Sequence, residues 1–207
     1  MKKLNNAVRP LTPRFTSALA LAVDLHGRQP RKGTRVPYVS HPLGVASLAL
    51  EHGADENEAI AALLHDAVED QGGMLTARVV ESSFGERVAR IVLACSNTTE
   101  DGDPRPSEVR KAEHVAKLAR ETDPSVLLVS AADKLHNART ILQELRWESP
   151  EDRDDVWARF KAAPQGVVAY YRSLVGALRG KDRRVNPMAQ ELAVVVKEIA
   201  SRAPTAR

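Results

Sequence analysis

The sequence predicts an all-α protein, a compact single-domain helical bundle, on three observations. Aromatic residues make up only 4% of the chain, while Ala, Leu and Val dominate its 43% hydrophobic content, so side chains suit helix-on-helix packing better than a sheet. Apolar residues recur at spacings of three and four, the period of a helix with one buried face. Between these stretches stand helix punctuation marks, Gly27, Gly53, Gly72, Gly73 and Gly85 as stops and Ser40 and Asp55 as N-caps.

Length and charge narrow the class. The 207 residues suffice for one sizeable core, and no repeat or composition break marks a second domain. We divide the chain into a loose N-terminal segment (1–14), a domain (15–180) and a C-terminal helix with a frayed tail (181–207). Lys and Arg outnumber Asp and Glu by 30 to 27, too modest an excess to imply a nucleic-acid partner. The lone Cys95 excludes a disulfide framework and points to a reducing compartment. The apolar run from Ala18 is cut short by Asp24, so neither a signal core nor a membrane span is expected and the expected location is cytoplasmic. No feature specifies an oligomeric state.

In chain order, Phe15, Leu19, Ala22 and Val23 give one face of a helix that Gly27 ends. A loop follows by its Pro and Gly content, and Arg28, Arg31, Lys32 and Arg35 crowd into it. Ser40 is read as the cap of the next helix, with Pro42 near its start and Val45, Leu48 and Ala49 inward. Gly53 stops it, and Asp55 caps a helix in which Ile60, Leu63, Leu64 and Val68 are apolar and Ala fills the gaps. Leu75–Phe84 and Glu86–Cys95 are two helices broken at Gly85. Residues 96–106 are a polar loop, long enough to be a lid or locally disordered. Glu108–Glu121 is a solvated helix. Pro124 or Ser125 opens a long apolar one, Val126–Leu145. Trp157 to Leu178 holds one or two helices, and Leu192–Ile199 the last.

The helix capped by Asp55 ends oddly. His65, Asp66, Glu69 and Asp70 fall within six positions at its C-terminal end, where the helix dipole disfavours carboxylates. A bound cation would offset that. Two other apolar segments carry the same oddity, His41 at a helix entrance before Pro42, and Asp133 closing the run Leu127–Ala132. His41, His65, Asp66 and Asp133 make a mixed nitrogen and oxygen set suited to one divalent ion, Mn²⁺ first, with Fe²⁺ or Zn²⁺ as alternatives. His114 and His136 read as structural or exposed, Cys95 as a small core residue, and His26 as packing near the site.

The order His41, His65-Asp66, Asp133 resembles the signature of the HD phosphohydrolase superfamily, and the neighbours narrow it. Arg31-Lys32-Gly33, Pro37-Tyr38, His41-Pro42, His65 through Asp70, and Asp133-Lys134-Leu135-His136-Asn137 resemble the hydrolase domain of RelA/SpoT-type alarmone enzymes. The resemblance covers about residues 15–180 and implies an HD-type helical bundle acting alone as a small alarmone hydrolase of the stringent response. The implied reaction removes the 3′-pyrophosphate of (p)ppGpp to give GDP or GTP and pyrophosphate. It further implies that Arg31 contacts the base beside Lys32, with Tyr38, Asn137 and Thr140 completing the nucleoside pocket. Glu69 and Asp70 lie where they could orient or deprotonate water, and Arg28, Arg31, Lys32 and Arg35 offer charge to an anionic nucleotide. One departure is visible: Ala67 and Gln71 flank the Glu-Asp pair where the family often has Thr. An HD phosphohydrolase of (p)ppApp, NADPH or another phosphorylated nucleotide is the second reading, and a non-catalytic nucleotide sensor the third.

Overall fold

Two helices hold stretches buried on every side, and the rest of the chain covers them. In the computed structural model, which describes residues 10–96, 105–148 and 153–204, the order is α1 (Pro13–His26), α2 (Ser40–Glu51), α3 (Glu56–Leu64), α4 (Ala67–Asp70), α5 (Gly73–Phe84), α6 (Glu86–Cys95), α7 (Ser107–Arg120), α8 (Pro124–Trp147), α9 (Arg153–Ala158), α10 (Pro164–Leu178) and α11 (Val185–Arg202). In α3 every residue from Glu58 to Leu64 is buried, and in α8 every residue from Ser125 to Asp133. Unbroken burial over two turns leaves no solvent face, which marks both as central helices. Around α8 pack α2, α3, α6, α10 and α11, and around α3 pack α1, α2 and α6.

The two central helices start on strong local signals. Asp55 accepts from Glu58 N at 3.0 Å while Glu58 Oε2 accepts from Asp55 N at 2.8 Å, a reciprocal capping box. Asp123 accepts from Ser125 N at 2.8 Å, with Pro124 preset in the first turn of α8.

Glu58 does more than cap. Its side chain is only 2% exposed, yet it takes Arg184 Nη1 at 2.9 Å and Ser125 Oγ at 2.7 Å, tying α3 to α8 and to the start of α11. Removing one partner of a buried pair strands the other charge. Glu58→Ala should lower stability by about 3 kcal/mol, the low end of that penalty because Arg184 keeps partial exposure. Urea unfolding measures it, and a loss under about 1 kcal/mol would refute the clamp.

Along α8 and α11 two forks fix alignment. Arg139 Nε and Nη2 donate to Glu191 at 2.6 and 2.8 Å, and Arg146 does the same to Glu198 at 2.9 and 2.6 Å. Both pairs join residues 52 apart, so the helices run parallel in one register. Exposed ion pairs add little stability, so their contribution is alignment.

Several boundaries depart from the sequence reading. α1 begins at Pro13, capped by Thr12, and Arg14 bonds to Glu56, Asn57 and Phe84 O, so residues 12–14 are tied to the domain. Ser40 is the first residue of α2 and provides no side-chain cap. The helix expected to carry both His65 and Glu69 stops at Leu64 and resumes at Ala67, so His65 and Asp66 occupy a turn. The C-terminal helix packs into the same core: Met188, Leu192 and Ile199 of α11 are fully buried. Most of the loop expected at 96–106 lies outside the described residues, as do 1–9 and the end of the tail.

Candidate active site

Three elements deliver the polar cluster: the start of α2 brings His41, the turn after α3 brings His65 and Asp66, and the middle of α8 brings Asp133. His41, His65 and Asp133 are all buried and hold ligand atoms within 4.8 Å of one another. Asp133 Oδ1 lies 3.2 Å from His41 Nε2 and 3.7 Å from His65 Nε2. Asp66 Oδ2 lies 3.5 Å from His41 Nε2 and 3.1 Å from His65 Nε2. Residues 65 and 66 keep right-handed backbone angles through the break between α3 and α4, and their side chains meet at His65 Nε2 and Asp66 Oδ2. Tyr38 Oη donates to Asp66 Oδ2 and fixes that carboxylate.

The donor set fits a cation. His65 Nδ1 donates to Ala62 O at 2.9 Å, which turns Nε2 toward the carboxylates, where a metal would take the place of its proton. That Nε2 is buried and makes no hydrogen bond despite the nearby carboxylates. His41 Nδ1 meets His136 Nδ1 at 3.0 Å. Burial, with His41 and Arg31 nearby, pulls the His136 pKa down to about 4, so His136 is neutral and able to accept from His41 Nδ1. Both rings are thus anchored through Nδ1 and present Nε2 to the cluster, the nitrogen a divalent ion would take. Two neutral nitrogens and two carboxylates match a borderline-hard divalent ion.

The electrostatics agree. Burial favours neutral carboxyls, but His65 beside Asp66 and Lys134 beside Asp133 hold both acids well below the ordinary range. Burial also opposes charge on His65, yet the Asp66 carboxylate raises its pKa well above the imidazole norm. A raised pKa stabilises the metal-free fold at acid pH, and that contribution fades as pH rises through the raised value. A divalent ion must displace the same proton. The rise in melting temperature on adding Mn²⁺ should therefore grow with pH, and an increment constant from about pH 6 to 9 would refute this coupling.

His136 also explains Gly44, which sits inside α2. A Cβ there would lie 2.1 Å from His136 Nε2. Gly44→Ala should push the ring off His41 and weaken metal binding about 10–100-fold, the usual cost of losing such a support. Metal titration tests it; unchanged affinity would mean the ring is not needed.

A cavity of about 370 Å³ opens over the cluster. Arg31, Lys32, Tyr38, Glu69, Asn137 and Thr140, all candidates from the sequence, line it with His41, Asp66 and Asp133. Arg31 Nη2 donates to Asn137 Oδ1 at 2.8 Å, and Asn137 Nδ2 to Asp133 Oδ1 at 2.6 Å. The substrate contact expected of Arg28 finds no support in the cavity wall: Arg28 is exposed and not among the lining residues. Asp70 is not among them either. Its carboxylate accepts from Gln29 Nε2 at 2.9 Å, and Gln29 Oε1 accepts from His26 Nδ1 and from Gln71 Nε2. Gln71 thus supports Asp70 through Gln29.

The sequence reading missed Lys134, whose Nζ pairs with Asp133 Oδ2 at 2.6 Å, and the support from His136. It also missed Glu144 and Arg159 in the outer wall. Glu144 lies on the α8 face that carries Asn137 and Thr140, a legible signal; Arg159 follows a helix boundary that gave none.

Comparison with known proteins agrees with this geometry. The chain is 40% identical over 126 residues to a guanosine-3′,5′-bis(diphosphate) 3′-pyrophosphohydrolase of Aquifex aeolicus, a match covering 60% of this chain and 17% of that one. It is 36% identical over 126 residues to a probable enzyme of the same name from Synechocystis, covering 60% and 16%. The chain thus spans about one sixth of the length of these relatives. A solved structure described as a metazoan ortholog of SpoT that hydrolyzes ppGpp superposes with a TM-score of 0.67 at 28% identity, covering 90% of this chain and 96% of the other. The HD domain profile matches residues 18–168, most of the chain and all of the cluster, and the protein belongs to the HD domain family.

Proposed function

We propose that this protein is a metal-dependent hydrolase that removes the 3′-pyrophosphate of (p)ppGpp. The observation that carries the reading is one cavity joining two unlike ends: His41, Asp66 and Asp133 at its floor, with His65 buried against Asp66, and Arg31, Lys32 and Asn137 on its wall. Similarity to enzymes and a solved structure named for ppGpp hydrolysis supports it. The HD family and the donor set support a divalent metal held by those four residues, with Mn²⁺ as our choice. When bound, such an ion polarises a phosphoryl oxygen and lowers the pKa of water.

The chain's own residues supply the rest. Lys134 beside Asp133 and Lys32 on the wall offset phosphate charge. Glu69, on the wall three residues beyond Asp66, takes the proton of the attacking water as its oxygen bonds to phosphorus. The bond from phosphorus to the 3′-oxygen then breaks, and that oxygen regains a proton. Asp70, positioned by Gln29, assists from beside the wall. Arg31, braced by Asn137 and 5.9 Å from the Tyr38 ring centre, offers its planar guanidinium for stacking on the base. Tyr38 and Thr140 complete the nucleoside pocket. Among the described residues no helix is long and apolar enough to cross a membrane, and the single Cys95 suits a cytoplasmic location.

The test is product analysis of the purified protein with Mn²⁺ and ppGpp, ppApp, NADPH and GTP in parallel. GDP and pyrophosphate from ppGpp are expected. Release of 5′-phosphate from GTP at an equal rate would overturn the assignment.

A further inference from the structure

The outer wall of the cavity contains a group that phosphate binding does not call for. Glu144 places a carboxylate in a pocket built for an anionic ligand, and its partner is Arg159, whose Nη1 and Nη2 donate to it at 3.1 and 2.6 Å. Glu144 follows Asp133 by eleven residues on α8. At the helical rise it stands about 16 Å along the axis from the cation cluster, with Asn137 and Thr140 at about 6 and 10 Å between. The 3′-pyrophosphate belongs at the cluster and the Glu144 carboxylate repels the 5′-phosphates, so the part of a nucleotide suited to the Glu144 end is the uncharged base.

We propose that the Glu144–Arg159 pair reads the edge of that base and selects guanine over adenine, an inference that rests on the nucleotide-hydrolase reading above. An ion pair is an acceptor beside a donor. Guanine presents the complement, the O6 acceptor beside the N1–H and 2-amino donors. Adenine presents the reverse, a 6-amino donor beside an N1 acceptor that would face the carboxylate and be repelled. The fork to Arg159 leaves each Glu144 oxygen a further lone pair, and Arg159 keeps N–H groups not committed to Glu144. Stacking on Arg31 orients the base but cannot tell two purines apart, so discrimination must come from hydrogen bonds. The pair is also held in place. A Cβ on Gly33 would lie 2.1 Å from Arg159 Cδ, so the stem of Arg159 lies flush on the basic loop only because Gly33 has none.

Calorimetric binding of GDP and ADP to the full, Mn²⁺-loaded chain tests this without relying on turnover. The wild type should bind GDP more tightly than ADP by at least about tenfold, the worth of one charge-assisted hydrogen bond. Glu144→Gln turns an acceptor into a donor and should bring that ratio close to one. Arg159→Met, which keeps the stem on Gly33, should lower it as well. If the pair is only a tie between α8 and the turn after α9, both variants will melt earlier with the GDP to ADP ratio intact, and the proposal falls. Equal binding of GDP and ADP by the wild type would also overturn it. A Glu144-dependent GDP preference in a protein that leaves ppGpp intact would uphold base reading and refute the reaction. Hydrolysis of ppGpp with the ratio unmoved in Glu144→Gln would do the opposite.

Discussion

Asp133→Asn should leave the protein with far less than one equivalent of divalent metal and without detectable ppGpp hydrolysis. The exchange alters almost no volume, so the effect is one of charge. Asp133 Oδ1 sits between His41 Nε2, at 3.2 Å, and Asn137 Nδ2, at 2.6 Å, while Oδ2 takes Lys134 Nζ at 2.6 Å. An asparagine offers one neutral oxygen to all three. The loss should exceed the about 10–100-fold typical of an outer supporting group, since here a ligand itself goes. Folding should suffer as well. Burial works against the charge on Lys134, and the Asp133 carboxylate is what holds its pKa above the usual lysine value. Without the carboxylate, Lys134 is a buried cation lacking its counter-ion, worth roughly 3–5 kcal/mol. Adding Lys134→Met should return much of that stability and none of the metal. Elemental analysis and urea unfolding separate the two effects, and full metal content in folded Asp133→Asn would end the ligand assignment.

Glu69→Gln should keep metal and fold yet lower kcat by roughly 10²–10⁴, the scale of a positioned general base. Glu69 lines the cavity, three residues beyond Asp66 on the short helix after the turn. A metal-free Glu69→Gln protein would instead make Glu69 a ligand.

How much of this was legible in the sequence depends on what each feature answers to. His41, His65 and Asp133 stood out because each interrupts or ends an apolar run, and one chain suffices to see that. The stop between Leu64 and Ala67 was invisible because the Ala-rich sequence continues helical periodicity across it. His136 looked like a spare imidazole because its role comes from His41 on another helix, through a gap that Gly44 leaves. Asp70 and Arg28 were assigned by proximity in sequence; neither lines the cavity, and Asp70 bonds to Gln29. Asp55 and Gly85, whose signals are local, were read correctly.

The two forks between α8 and α11 set a tolerance for the whole site. Their common offset acts as a vernier: 139 can meet 191 while 146 meets 198 at only one relative position of the two helices. A slip by one turn, about 5.4 Å, would break both at once. It would carry Asp133 out of reach of His41, since α8 delivers the carboxylate and the forks at once. Charges on the outer surface, weak as sources of stability, thereby hold a buried distance to a fraction of a turn. Swapping both pairs end for end, Glu on α8 and Arg on α11, should preserve metal binding, whereas reversing α8 alone should loosen it.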